Sequence, residues 1–163
     1  MIIIVGLGNP GPKYQNNRHN VGHLFVDYLI KQLRITNYEL KIVKTDCFMN
    51  VSGIFIKKLI RNSQFEIKNL IIIHDDLDIP LGKFHIQFGV GPQLHNGLES
   101  IEHHLKTKDF YRIRIGVDAR SMENKVSGET YTLQNFLPDE KKLLEKEIFP
   151  KIFAQMKLNF KML

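Results

Sequence analysis

Short apolar runs along this chain alternate with longer stretches in which apolar residues return every third or fourth position. Strand signals fall at residues 2–5, 40–43, 70–74, 83–88 and 112–117. The stretch 70–73 is continuously apolar, as a central strand buried on both faces requires. By contrast Phe84, Ile86, Phe88 and later Ile113, Ile115, Val117 alternate with polar residues. Helical spacing joins Val21, Leu24, Phe25, Tyr28, Leu29 and Leu33, then Val51, Ile54, Phe55 and Leu59, then Leu98, Ile101 and Leu105. A longer stripe, Leu144, Ile148, Ile152 and Met156, is interrupted by Pro150. Strands alternating with helices predict an α/β fold: a single domain over residues 1–163, its mixed β-sheet flanked by helices on both faces.

Four polar clusters follow or border these strands: residues 9–19, Phe48-Met49-Asn50, His74-Asp75-Asp76-Leu77-Asp78 and His95-Asn96-Gly97. Open α/β sheets gather their strand-end loops into one crevice, so residues remote in sequence can share a site. Gly6, Gly8 and Gly11 match a dinucleotide-binding pattern, but Pro10 and Pro12 hold that segment extended where such a site needs a helix to open. The nearest candidate for the ribose-binding acid, Asp27, has helical neighbours.

What the clusters hold is an imidazole with a carboxylate partner, several side-chain amides, no reactive-serine elbow and no metal-ligand spacing. That set suits activation of water. A histidine kept in one tautomer by a carboxylate such as Asp75 can take a proton, while asparagine amides offer donors to an oxygen that becomes an oxyanion. The reaction class is hydrolysis of an ester or amide. Each residue also has a plainer use: His19 could cap the following helix, Asn50 and Asn96 could be helix N-caps, and Asp75, Asp76 and Asp78 could form a solvated turn or a cation site. His23, His85, His103 and His104 fall on helix or strand faces. His74 and His95 border the site as hydrogen-bond partners.

The balance of 23 Lys+Arg against 17 Asp+Glu, a formal charge of +6, favours an anionic partner such as nucleic acid. The lone Cys47 rules out an internal disulfide and a cysteine-based zinc site, and reads as a small packed thiol. Apolar runs are too short to span a bilayer and no basic leader precedes the first strand, so a cytoplasmic protein is expected.

With these residues in place the sequence resembles the bacterial-type peptidyl-tRNA hydrolase family. The resemblance rests on Gly6-Leu7-Gly8-Asn9-Pro10-Gly11 with Tyr14 and Arg18-His19-Asn20-Val21-Gly22; on Phe48-Met49-Asn50 with Ser52-Gly53; and on His74-Asp75-Asp76-Leu77-Asp78 with Pro80 and Gly82. It continues through His95-Asn96-Gly97-Leu98 and Tyr111-Arg112-Ile113-Arg114-Ile115-Gly116. It implies cleavage of the ester between a peptide and the 3′ ribose of tRNA, without metal or other cofactor, by a monomer needing no protein partner. By the same resemblance His19 is the general base and Asp75 its orienting carboxylate. Asn9, Asn50 and Asn96 hold substrate and water, and Tyr14 and Met49 wall the crevice. The alternatives are a non-catalytic RNA-binding relative and a hydrolase of small esters or amides.

Some positions depart from the family pattern. Gln87 and Phe88 stand where the family carries basic residues on a strand, Gln93 and Leu94 replace two glycines before His95, and Thr45-Asp46-Cys47 replaces a Pro-x-Thr segment. The C-terminal tail is shorter than usual for the family. Lost positive charge predicts weaker, less salt-dependent RNA binding, unless Lys57, Lys58 and Arg61, or Lys106, Lys108 and Lys125, compensate. The segment 131–136 resembles the one that covers a rim of the family's crevice.

Overall fold

A computed structural model describes residues 1–33, 40–61, 65–124 and 126–161. Five strands, β1 (Ile2–Gly6), β2 (Leu40–Lys44), β3 (Leu70–Pro80), β4 (Phe84–Phe88) and β5 (Tyr111–Asp118), form one sheet in the order β2-β1-β3-β5-β4. The first four in that order run parallel and β4 joins antiparallel to β5, so the sheet is mixed as expected. Alternation along β1 sends Ile4 to one face and Ile3 and Val5 to the other. The first face is covered by α1 (Val21–Gln32) and by helices near the C-terminus. The second is covered by α2 (Ser52–Ile60) and α3 (Asn96–Leu105).

The chain therefore leaves β1 for one face and β2 for the other, which makes the carboxyl ends of β1 and β3 a topological switch point, where such sheets open a crevice. Close approach there depends on lacking side chains. A Cβ on Gly6 would stand 2.4 Å from the Gly22 carbonyl oxygen, and one on Gly22 would stand 2.5 Å from that of Ile73. Without them, the start of α1 lies directly on the sheet.

Three expectations are corrected. β3 does not end at His74 but runs on to Pro80, because its pairing with β5 continues through Asp76↔Gly116 and resumes at Pro80↔Asp118 after a register shift. The stripe on α2 is rotated: Ser52, Gly53 and Ile56 are buried, while Ile54 is 54% exposed. The reason is Gly53, whose Cβ would fall 2.0 Å from the Ser100 oxygen, so it is the point where α2 meets α3. Pro150 does not interrupt the last stripe. After α4 (Gly128–Thr132) and α5 (Pro138–Leu143), a π turn over Leu144–Ile148 leads into α6 (Phe149–Phe160), and all four stripe residues are buried. The wider turn carries the chain past a residue with no N–H to donate. Among the described residues no helix is long and apolar enough to cross a membrane.

Candidate active site

Beyond β1 the chain runs as a loop that other segments hold at both ends. Thr45, buried at the end of β2, donates its hydroxyl to the Gly8 carbonyl (2.9 Å), accepts the Gly8 N–H (3.2 Å) and accepts from His23 Nε2 (3.1 Å). Asn20 clamps the next residue, its Oδ1 accepting the Asn9 N–H and its Nδ2 donating to the Asn9 carbonyl, both at 2.9 Å. Asn9 Oδ1 in turn accepts the Met49 N–H at 2.8 Å, which leaves the amide hydrogens of Asn9 without a partner among the described residues. At the loop's far end, Asn17 bonds to Asn135 (2.7 Å) and Arg18 to the Asn135 carbonyl (2.6 Å) and Glu140 (2.7 Å), with its guanidinium 4.2 Å from the centre of the Tyr131 ring. The segment 131–136 is thus a brace for the loop.

His19 sits in the 3₁₀ turn Arg18–Asn20 that precedes α1, and its Nδ1 meets Asp75 Oδ1 at 2.8 Å. Residues 56 positions apart in sequence are therefore in direct contact, as expected. The same carboxylate oxygen meets His95 Nε2 at 2.9 Å. His95 is the N-cap of α3, and its Nδ1 accepts the N–H groups of Gly97 (3.1 Å) and Leu98 (3.3 Å), so this ring keeps its proton on Nε2. Beneath it His74 donates from Nδ1 to the Asp75 carbonyl at 2.7 Å, and its buried Nε2 has no partner among the described residues. Tautomers of all three rings follow from their partners.

Charge follows the same geometry. Burial works against a charged His19, but the attraction and hydrogen bond of Asp75 outweigh it and hold the imidazole above its ordinary range. Burial likewise opposes ionisation of Asp75, yet His19 and His95 keep its carboxyl well below the usual carboxylate range. His74 is pushed down to about 3 by burial and the neighbouring His95, so it stays neutral. His23 falls to about 4 through burial and the nearby Lys44. Only Asp75 carries a negative charge among these groups, and His19 Nε2 has no partner among the described residues, free to take a proton.

The remaining expected residues surround this pair. Met49 is buried, and a Cβ on Gly97 would lie 2.5 Å from its sulfur, which brings the turn after β2 against the first turn of α3. Asn50 and Asn96 are exposed, their side chains making no hydrogen bond within the described residues; neither is an N-cap, since Val51 and His95 take those places. Tyr14 stands edge-on to Phe48, ring centres 6.1 Å apart. Asp76 and Asp78 form neither a solvated turn nor an open cation site: Asp76 is buried against Arg114 (2.7 Å), and Asp78 accepts the Gln93 N–H (2.8 Å). Gln87 accepts from the same Arg114 at 2.7 Å. His19, Asp75 and His95 also present three potential ligand atoms within 4.8 Å of one another, but their 2.8 and 2.9 Å separations are hydrogen-bond lengths.

Sequence reasoning passed over Thr45 and gave Asn20 no task, although both were signalled by a polar residue at the end of an apolar strand or beside the histidine. Of the cations suggested as compensation, Lys57, Lys58 and Arg61 are exposed without an ion pair among the described residues. Lys108 pairs with Glu102 at 3.4 Å, and Lys125 lies outside the described residues.

An open-sheet α/β protein with an imidazole–carboxylate pair at its switch point, ringed by amides, is of the class that activates water for hydrolysis. The family model for peptidyl-tRNA hydrolase matches residues 3–161. A peptidyl-tRNA hydrolase of Thermodesulfovibrio yellowstonii is 38% identical over 165 residues, covering 91% of this chain and 87% of that one. One of Geotalea daltonii is 41% identical over 154 residues, covering 85% and 79%. The crystal structure of peptidyl-tRNA hydrolase from Acinetobacter baumannii aligns with a TM-score of 0.83 at 28% identity, over 97% of this chain and 87% of that chain. The chain belongs to the peptidyl-tRNA hydrolase family.

Proposed function

We infer that this chain hydrolyses the ester joining a peptide's carboxyl group to the 3′ ribose of tRNA, returning tRNA from aborted translation. It acts as a single-domain monomer in the cytoplasm and needs no cofactor. The observation that carries this reading is the 2.8 Å contact between His19 Nδ1 and Asp75, the other ring nitrogen having no partner among the described residues. Water bonded to His19 Nε2 attacks the ester carbonyl and gives up its proton to the ring, while Asp75 stabilises the imidazolium. The tetrahedral oxyanion takes donors from the Asn9, Asn50 and Asn96 amides. As the bond to the ribose oxygen breaks, that oxygen takes the proton back from His19, leaving a free peptide carboxylate and a tRNA 3′ hydroxyl. Tyr14 and Met49 wall the crevice around the peptide.

Release of free tRNA from an N-blocked aminoacyl-tRNA, compared between the native protein and His19→Ala, tests the assignment. Turnover should fall about 100-fold or more while tRNA binding persists. Equal release by both proteins would reject His19 as the base, and binding without release by the native chain would make it an RNA-binding relative.

A further inference from the structure

We propose that His95 is a positioning residue for this reaction: its Nε2–H takes up part of the Asp75 Oδ1 charge and so tempers the basicity of His19, coupling that setting to the first turn of α3. The proposal rests on His19 being the general base. One oxygen atom receives both rings, His19 at 2.8 Å and His95 at 2.9 Å, with the ring centres 5.1 Å apart. The side chains of His95 and Asp75 are each only 3% exposed, so water does not compete for this oxygen as it would at a surface.

The proton position on His95 is what gives the contact its meaning. Two backbone N–H groups of α3 aim at Nδ1, at a helix end that carries partial positive charge. Protonating that nitrogen would break both bonds, so His95 is held as a neutral donor. A neutral donor stabilises the carboxylate without cancelling its charge, whereas a cation in that place would cancel most of what Asp75 gives His19. Moderation matters because His19 has two tasks. It must take a proton from water and then release it to the departing ribose oxygen, and a ring made too basic performs the second step poorly.

The charged and titratable groups around His95 come from four elements. His19 faces it from the turn before α1, His74 and Asp75 from β3, with His74 in T-shaped contact at 5.0 Å between ring centres. Glu99 and Glu102 of α3 and Lys108 line, together with His95, a cavity of about 210 Å³. Glu102 is occupied by Arg112 of β5 at 2.8 Å. Among the described residues Asp75 is the one acceptor that His95 Nε2 reaches.

The test pairs two substitutions of similar length, His95→Gln, which can still donate an N–H, and His95→Met, which cannot. NMR titration of the His19 ring in the substrate-free protein reads the setting directly, and pH profiles of kcat and KM on N-blocked aminoacyl-tRNA read its effect. His95→Met should move the His19 titration up by about half to one pH unit, carry the acid limb of kcat/KM with it, and lower kcat about tenfold with KM nearly unchanged. His95→Gln should restore the native titration and most of kcat. Superimposed His19 titrations in all three proteins, or equal shifts in both variants, would overturn the proposal and leave His95 as a helix cap alone. Failure of the base assignment would show separately, as undiminished turnover in His19→Ala.

Discussion

Asp75 Oδ1 is the atom on which the site turns, and replacing it separates charge from shape. Asp75→Asn keeps the volume but can present an N–H to His19 Nδ1, favouring the wrong tautomer; kcat/KM should fall about 100- to 10,000-fold in a tRNA-release assay. Because Asp75 holds His19 above the ordinary 6.5, the neutral, base-competent ring predominates only at higher pH. The acid limb of kcat/KM should accordingly lie above pH 6.5 and disappear from the residual activity of His19→Ala. Thr45→Val tests the support beneath the loop. It leaves the Gly8 N–H and carbonyl without their buried partner, at a cost of about 1–3 kcal/mol in thermal unfolding, together with a loss of kcat from displacement of Asn9. The imidazole–carboxylate pair was legible because polar residues followed apolar strand signals. Thr45 could be noticed as a polar residue after an apolar strand, but its task could not, since the Gly8 backbone groups it holds lie 37 residues away.

The strands and helices were legible wherever apolar periodicity was their cause, and not where a distant partner decided. β1 and α3 followed their spacing. The polar half of β3 read as a loop because Asp75 and Asp76 are unlike strand residues; they are tolerated there since His19, His95 and Arg114 satisfy them from outside the strand. On α2 the spacing of Val51, Ile54, Phe55 and Leu59 placed the buried face too far round, because the helix approaches α3 through Gly53, a residue that no hydrophobic count includes. Gly53→Ala should therefore push the two helices apart and lower the unfolding temperature, by about 2 kcal/mol or more in stability. A change below about 0.5 kcal/mol would mean that the α2–α3 contact adjusts without strain.

At the scale of the whole molecule, two neutral histidines, His74 buried and His23 partly buried, set the acid limit. His74 at about 3 and His23 at about 4 both lie below the 6.5 of an unfolded chain, so the unfolded state binds more protons as pH falls, and stability should decline from pH 6.5 downward. His19, raised instead, contributes in the opposite sense: its share is present at low pH and is lost as pH rises through its folded value. Thermal melts between pH 7 and 4 should show the net decline, and His23→Gln should flatten it. The +6 charge makes tRNA binding salt-dependent, and simultaneous Lys57→Ala, Lys58→Ala and Arg61→Ala should reduce the log–log salt slope by about 0.9 for each phosphate contact removed; an unchanged slope would put the RNA on another face. The brace between residues 16–18 and 134–140 joins segments far apart in sequence, Asn17 and Asn135 being 118 positions apart. A copy still being synthesised has made β1, α1 and both members of the reactive pair long before residues 134–140 leave the ribosome. Until those residues arrive, the loop that carries His19 lacks the segment that holds its far end, so a nascent copy owns the reactive pair before it owns the support that places it.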